Sequence, residues 1–306
     1  MAGRGIQGAE VFAYRQVRHR RVGNPNNGFL IVMIPKLIIQ TGPPKLPLLL
    51  QAAVVNVKLL HPHFEHRFYD EAMIDTFLAV YFPDYRGEYR SFPFRIQRYD
   101  FFRYLAVYQF GGFYLDTDMF LARNLTPLLG SQCVFPFEEL AARRYFWKHF
   151  QMDWQIGNYA FGAEPGHPFL AAVIENCLRA KRMPAWVKPM MEGVPRILRN
   201  DVYVLNTTGP GMLSRTLAEN PQLAGNIDIL FPDDVCNCGS WYQFGDYGVH
   251  NMAGSWRPSS TLPGRLLTRL WKNWNLRRML AEGRARGNTR GVGSIRQAEA
   301  RECSAT

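Results

Sequence analysis

The sequence predicts an α/β protein with a central sheet and helices on both faces. Three features point there. Short runs rich in β-branched residues alternate with helix-length amphipathic segments. Gly and Pro fall between those runs rather than inside them. The 306 residues, 47% of them hydrophobic, are ample for a sizeable core.

In chain order, residues 1–28 read as a flexible, basic lead-in ending in the turn-like GNPNNG. Phe29–Ile34 and Leu37–Ile39 are apolar runs bounded by Pro and Gly, read as a buried strand followed by a loop. Leu48–Leu59 has helical spacing, Phe64–Tyr69 suits a second strand, and Glu71–Tyr81 a helix. Tyr99–Phe110 is a helix that stops at Gly111-Gly112, since glycine takes the left-handed cap at no steric cost. Phe113–Leu115 is then a buried strand. Trp154–Gly162 suggests a strand and turn, and Pro168–Ala180 a helix with one apolar face. Asp201–Thr208 leads into the turn Thr208-Gly209-Pro210-Gly211, which opens a helix over Met212–Glu219, and Ile227–Phe231 is a short strand. The Gly-, Arg- and Ser-rich residues 283–306 are predicted to be a disordered tail.

The net charge of +11 sits at the two ends. Residues 1–30 hold five Arg against one Glu, and residues 265–306 hold ten basic residues against three Glu. That leaves 21 basic and 21 acidic residues in 31–264. A neutral body with basic ends, and no nucleic-acid-binding motif, argues against a nucleic-acid partner. The five cysteines do not close a disulfide framework, and Cys236-Asn237-Cys238 is too tight for a zinc knuckle. No apolar run reaches the roughly 18 residues of a membrane span, and no signal-peptide h-region is evident. The expectation is a soluble or peripherally attached chain.

The chemistry is concentrated in GGFYLDTDMF, Gly111–Phe120. In an extended strand, residues i and i+2 share a side, so Asp116 and Asp118 would face one point at the carboxyl end of a strand. Ligands bind there in open α/β sheets. Two carboxylates aimed at one point repel unless a cation lies between them, and hard oxygen ligands favour Mg²⁺ or Mn²⁺. Alone the pair is weak: with 12 Asp in the chain, chance gives about half of one Asp-x-Asp. An exposed turn with capping Asp residues would look the same. Context strengthens it. Asp100 and Arg103 lie three apart on the preceding helix and share a face beside the glycine stop. As a surface ion pair they would contribute little.

The segment RYDFFRYLAVYQFGGFYLDTD resembles the signature of the family 32 glycosyltransferases, the group defined by a sugar-binding region containing a DXD motif. Fungal α-mannosyltransferases belong to it. The likeness extends through Ile34-Pro35-Lys36, Gln40-Thr41, His61-Pro62, Phe68-Tyr69-Asp70, Asn158, Gly162-Ala163, Gly166-His167-Pro168 and Thr208-Gly209-Pro210 to His250 and Gly254-Ser255-Trp256. Ile39 departs from the pattern, where the family commonly has His, which touches the nucleotide-base contacts.

The resemblance implies a GT-A-type nucleotide-sugar transferase fold over 29–264, with a mixed, mostly parallel central sheet. It implies a retaining hexosyltransferase that moves mannose, galactose or glucose from GDP-mannose or a UDP-hexose to a glycan or glycolipid, in the Golgi for eukaryotic relatives. It also implies Mn²⁺ or Mg²⁺ held by Asp116, Asp118 and His250. Gln40, Thr41, Asp100, Arg103, Asp116, Ser255 and Trp256 would contact the donor, with Asp100, Arg103 and Asp116 in catalytic roles. A non-catalytic carbohydrate- or nucleotide-sugar-binding relative is the alternative, although a binding module need not keep a metal cluster. A paired-carboxylate glycosidase fits less well, because its carboxyls stand about 5 Å or more apart with one protonated. Residues 265–282 are expected to form a basic amphipathic helix, with Leu266, Leu267, Leu270, Trp271 and Trp274 on one face. Such a helix suits either peripheral membrane contact or packing on the body.

Overall fold

The computed structural model describes residues 34–141, 144–150, 152–232, 235 and 237–251, with 270, 273, 274, 277 and 278 near the carboxyl end. The lead-in 1–28, the tail 283–306, Ser255, Trp256 and most of 265–282 lie outside the described residues.

The first half of the chain alternates as the sequence predicts. Strand β1 is Leu37–Thr41, helix α1 Leu48–Leu60, β2 Glu65–Tyr69 and α2 Glu71–Tyr81. A short helix α3 (Arg86–Arg90) precedes the long α4 (Arg95–Phe110), then come β3 (Gly112–Leu115) and β4 (Met119–Leu121). The second half holds β5 (Cys133–Leu140), α5 (Arg144–Phe150), β6 (Trp154–Ile156), β7 (Ala160–Ala163), α6 (Pro168–Arg182) and α7 (Pro184–Val187). Helices α8 (Arg199–Thr207) and α9 (Pro210–Glu219) and strands β8 (Asp228–Leu230) and β9 (Gly248–His250) complete it.

One sheet runs in the order β2-β1-β3-β7-β5-β6, with β8 also on β5. Pairing is parallel at β1–β2, β1–β3 and β5–β8, and antiparallel at β3–β7, β5–β7 and β5–β6. The parallel trio β2-β1-β3 carries the first half of the site. Strand pleat sorts side chains onto two cores. Leu37, Ile39, Tyr114, Phe135 and Phe161 join one cluster with residues of α2, α4, α6 and α9. Ile38, Phe113, Leu115 and Val134 face the opposite way with Val57 of α1 and Met119 and Leu121 of β4. The sheet is therefore covered on both faces.

Some boundaries differ from expectation, each for a local reason. The first strand lies at Leu37–Thr41, and Ile34 precedes it outside any strand; the rest of 29–33 is outside the described residues. Leu37–Thr41 pairs on both edges, which turns the anticipated loop into the buried strand. Helix α4 starts one turn early because Gln97 folds back, its Oε1 accepting from the Phe94 N–H at 3.2 Å. Trp154–Gly162 is two strands, both pairing antiparallel with neighbours. At the close of α4, Gly111 takes φ 68° and Gly112 φ 92°. A Cβ on Gly112 would come within 2.5 Å of the Leu37 carbonyl oxygen, so only glycine lets the helix turn straight into β3 beside β1.

Helix α6 starts as its sequence indicates, with Pro168 in its first turn. His167 caps it, Nδ1 accepting from the Phe169 N–H at 3.3 Å. This imidazole is 1% exposed, and burial pushes its pKa down to about 4. A group whose folded pKa is depressed below its unfolded value of 6.5 stabilises fully above pH 6.5 and loses that contribution as pH falls toward 4. By pH 4.5 the loss from this residue should be about 2.5 kcal/mol. Urea unfolding at pH 7.5 and pH 4.5 measures it. His167→Asn keeps a capping oxygen but does not titrate, so its stability should fall less between the two pH values than that of wild type.

Among the described residues, no helix is long and apolar enough to cross a membrane. Cys133 and Cys177 are buried free thiols, as the odd cysteine count suggests.

Candidate metal and donor site

Asp116-Thr117-Asp118 lies between β3 and β4, and it is not extended. The Met119 N–H donates to the Asp116 carbonyl at 3.1 Å, closing a turn around the tripeptide. The carboxylates therefore converge by chain reversal, which corrects the expectation that strand pleat aligns them. The residue before β7 fixes Asp116 from behind, since the Asp116 N–H donates to the Tyr159 carbonyl at 2.7 Å.

His250 arrives from 132 positions further on than Asp118. Strand β9 pairs antiparallel with β4, placing His250 opposite Met119. The Asn251 N–H donates to the Asp118 carbonyl at 3.1 Å and locks that register. His250 Nε2 then stands 3.1 Å from Asp118 Oδ1 and 3.8 Å from Asp116 Oδ2. One ligand atom from each of Asp116, Asp118 and His250 falls within 4.8 Å of the others. The ring of His250 stacks on Tyr159, centroids 4.6 Å apart and planes 11° apart.

The two oxygens of Asp116 are divided between tasks. Oδ1 accepts from the Tyr114 hydroxyl at 2.8 Å and lies 3.2 Å from Arg103 Nη2. Oδ2 is the one that faces His250. Tyr114 OH in turn lies 2.9 Å from Thr41 Oγ1, and Gln40 Nε2 reaches the Asp116 carbonyl at 3.4 Å. Gln40 and Thr41, expected at the donor, are 0% and 7% exposed and back the first aspartate.

Arg103 is 3% exposed and holds Asp100, as one of the two roles expected of it, within a buried network rather than as an exposed helix-surface pair. Its Nη1 donates to the Asn158 carbonyl at 2.7 Å, and Nη2 lies 3.1 Å from Asp100 Oδ1. The guanidinium also lies over the Tyr114 ring at 4.4 Å. Asp100 accepts from Asn158 Nδ2 at 3.0 Å and from Thr208 Oγ1 at 2.8 Å. Both Asp100 oxygens are thus engaged by protein donors, and the side chain holds Arg103, Asn158 and Thr208 together. Asn158 and Thr208 complete this network. Their resemblance to family blocks was visible in sequence, but their contact with Asp100 was not.

The electrostatics are mutual. Burial raises Asp100 to about 6 and raises Asp116, each offset in part by Arg103. Burial opposes the charge on Arg103, yet Asp116, Tyr114 and Asp100 overcome it and keep the guanidinium protonated. For His250 too, burial works against the cation, but the hydrogen bond and charge of Asp118 and the charge of Asp116 raise its pKa. A cation seated here would take the place of that proton among two carboxylates. Two carboxylate oxygens with one imidazole fit a hard or borderline divalent ion, with Mn²⁺ better matched to the imidazole than Mg²⁺.

Fold and site together define an α/β protein with a candidate Asp–Asp–His cation site at the end of its parallel strands. Residues 49–135 match the family described as glycosyltransferase sugar-binding region containing DXD motif. It is similar to inositol phosphoceramide mannosyltransferase 3 of Schizosaccharomyces pombe, 33% identical over 48% of this chain and 38% of that protein. It is similar to mannosyl phosphorylinositol ceramide synthase CSH1 of Saccharomyces cerevisiae, 27% identical over 69% of this chain and 53% of that protein. The chain thus spans from under two fifths to about half of these relatives. A solved structure described as PaToxG glycosyltransferase aligns at a TM-score of 0.38 with 13% identity, over 61% of this chain and 69% of that one.

Proposed function

We propose that the protein is a metal-dependent, retaining glycosyltransferase that moves a hexose, mannose foremost, from a nucleotide-sugar to a glycan or glycolipid. The observation that carries this reading is the convergence of Asp116, Asp118 and His250 within one family-matched DXD region and its long-range partner strand. Mannose is favoured because the similar curated proteins are named as a mannosyltransferase and a mannosyl phosphorylinositol ceramide synthase.

Asp116 through Oδ2, Asp118 and His250 through Nε2 would hold the ion, which as a Lewis acid neutralises the diphosphate as it departs. The protein's own contribution is preorganisation. Thr41 and Tyr114 fix one oxygen of Asp116, and Arg103 sets a buried positive charge behind it. Ser255 and Trp256 would donate to the diphosphate from the segment after β9. Retention fits attack on the same face that the leaving group vacates, since Asp100 is engaged by its neighbours and is not offered as a nucleophile.

The test is nucleotide release from UDP-glucose, UDP-galactose, UDP-N-acetylglucosamine and GDP-mannose with Mn²⁺ present. GDP-mannose should turn over fastest, and chelation should stop it. If no donor turns over while one binds, the chain is a binding relative and the catalytic reading falls.

A further inference from the structure

The reaction as proposed gives no task to His66, which lies on β2. That strand flanks β1 on the side away from β3. The two pair in parallel, with Ile38 opposite His66 and Gln40 opposite Phe68. Residues two apart on a strand share a face, so His66 and Gln40 project to the same side of the sheet. They meet there, with His66 Nε2 2.7 Å from Gln40 Oε1. At the other end of the amide, Gln40 Nε2 reaches the Asp116 carbonyl at 3.4 Å. That carbonyl also accepts from the Met119 N–H, the bond that closes the turn around Asp116-Thr117-Asp118. Two hydrogen bonds in series thus run from β2 to the backbone of the first aspartate.

Chemistry fixes the direction of both bonds. A carbonyl oxygen can only accept, so the amide nitrogen of Gln40 must be the end that faces Asp116. Its Oε1 must then face His66. Gln40 is 0% exposed, so bulk water does not supply the donor that this oxygen needs. His66 must therefore carry a proton on Nε2. Burial and the Lys58 ammonium of α1 keep the imidazole neutral, with its pKa pushed down to about 4. A neutral ring has a single N–H to place. We propose that His66 is a positioning residue for the site: its Nε2–H fixes the amide orientation of Gln40, and Gln40 ties the Asp116 turn to the sheet. The consequence for the site rests on the reading of Asp116, Asp118 and His250 as metal ligands.

The tautomer is measured in the metal-free wild type. Nitrogen-15 spectra at pH 7.5 should show His66 protonated on Nε2. A proton on Nδ1 alone overturns the proposal, because Nε2 would then accept from Gln40 and turn the amide nitrogen away from Asp116. The effect on the site is measured by binding of Mn²⁺ alone, followed through the electron-paramagnetic signal of the free ion. His66→Phe removes the N–H and should weaken Mn²⁺ binding by about 10-fold, the lower end of the range for partners that stand behind a ligand. His66→Gln places an amide N–H near the position of Nε2 and should recover most of that loss, a rescue that lost packing alone would not produce. Affinity in His66→Phe within about two-fold of wild type overturns the proposal, and so does equal weakening in the two variants. If His66→Phe does not fold, the wild-type tautomer still decides. Should the wild type itself take up no Mn²⁺, the metal reading falls, while the tautomer still judges the link from His66 to Gln40.

Discussion

Asp118→Asn should lower Mn²⁺-dependent nucleotide release by about 10³-fold and leave the fold intact. The substitution keeps the shape of the side chain, and the backbone hydrogen bond from Asn251 to residue 118 does not involve the carboxylate. What is lost is one of two negative charges facing the cation. Lewis-acid neutralisation of a departing diphosphate contributes several kcal/mol to the transition state, and about 4 kcal/mol corresponds to a factor of 10³. Removing the carboxylate relieves its repulsion with Asp116 but also takes away the charged partner of His250, so thermal melts of the metal-free variant report the balance of the two. Initial rates across a Mn²⁺ titration, with thermal melts of the same samples, separate the two effects. A variant that reaches the wild-type rate at saturating Mn²⁺ would remove Asp118 from the chemistry.

Arg103→Met should be the most damaging single change to stability, costing about 3–5 kcal/mol. The arginine lies buried between Asp100 and Asp116, and its other nitrogen satisfies the Asn158 carbonyl. Methionine fills similar volume but leaves two buried carboxylates without their cation and one carbonyl without a donor. Arg103→Lys should recover only part of the loss, because a single ammonium cannot bond Asn158 and both aspartates in one plane. The double variant Arg103→Met/Asp100→Asn should be more stable than Arg103→Met alone, since it removes one stranded charge. Urea denaturation at pH 7.5 measures all three. Equal stability of Arg103→Met and wild type would mean that the network does not hold the site together.

Much of the fold was legible because it is built from local patterns. The glycine stop after Phe110, the apolar strand Phe113–Leu115 and the cap-and-proline start of α6 are each written within a few residues. The short strands of the second half were harder. Residues 133–140 carry a proline, Pro136, and two glutamates, Glu138 and Glu139, yet form the eight-residue β5. That strand is specified by the neighbours it pairs with, β6, β7 and β8, rather than by its own alternation. Asp100 and Arg103 were correctly placed on one helix face, but their spacing could not say whether the face meets water or core.

By itself the sequence determined the α/β alternation, the glycine turn from α4 into β3, and the presence of an Asp-x-Asp pair where such a turn delivers it. Tertiary structure decided the rest. The carboxylates converge through a hydrogen-bonded turn, and the imidazole reaches them only because β9 pairs with β4. Asp100 and Arg103 became the buried support of Asp116 only because Asn158 and Thr208 closed over them. The physical reason is range. Propensity and turn chemistry act over a few residues, whereas strand pairing and burial bring together residues that sequence keeps more than a hundred positions apart. A single chain carries no local mark of which distant segment will supply the missing ligand.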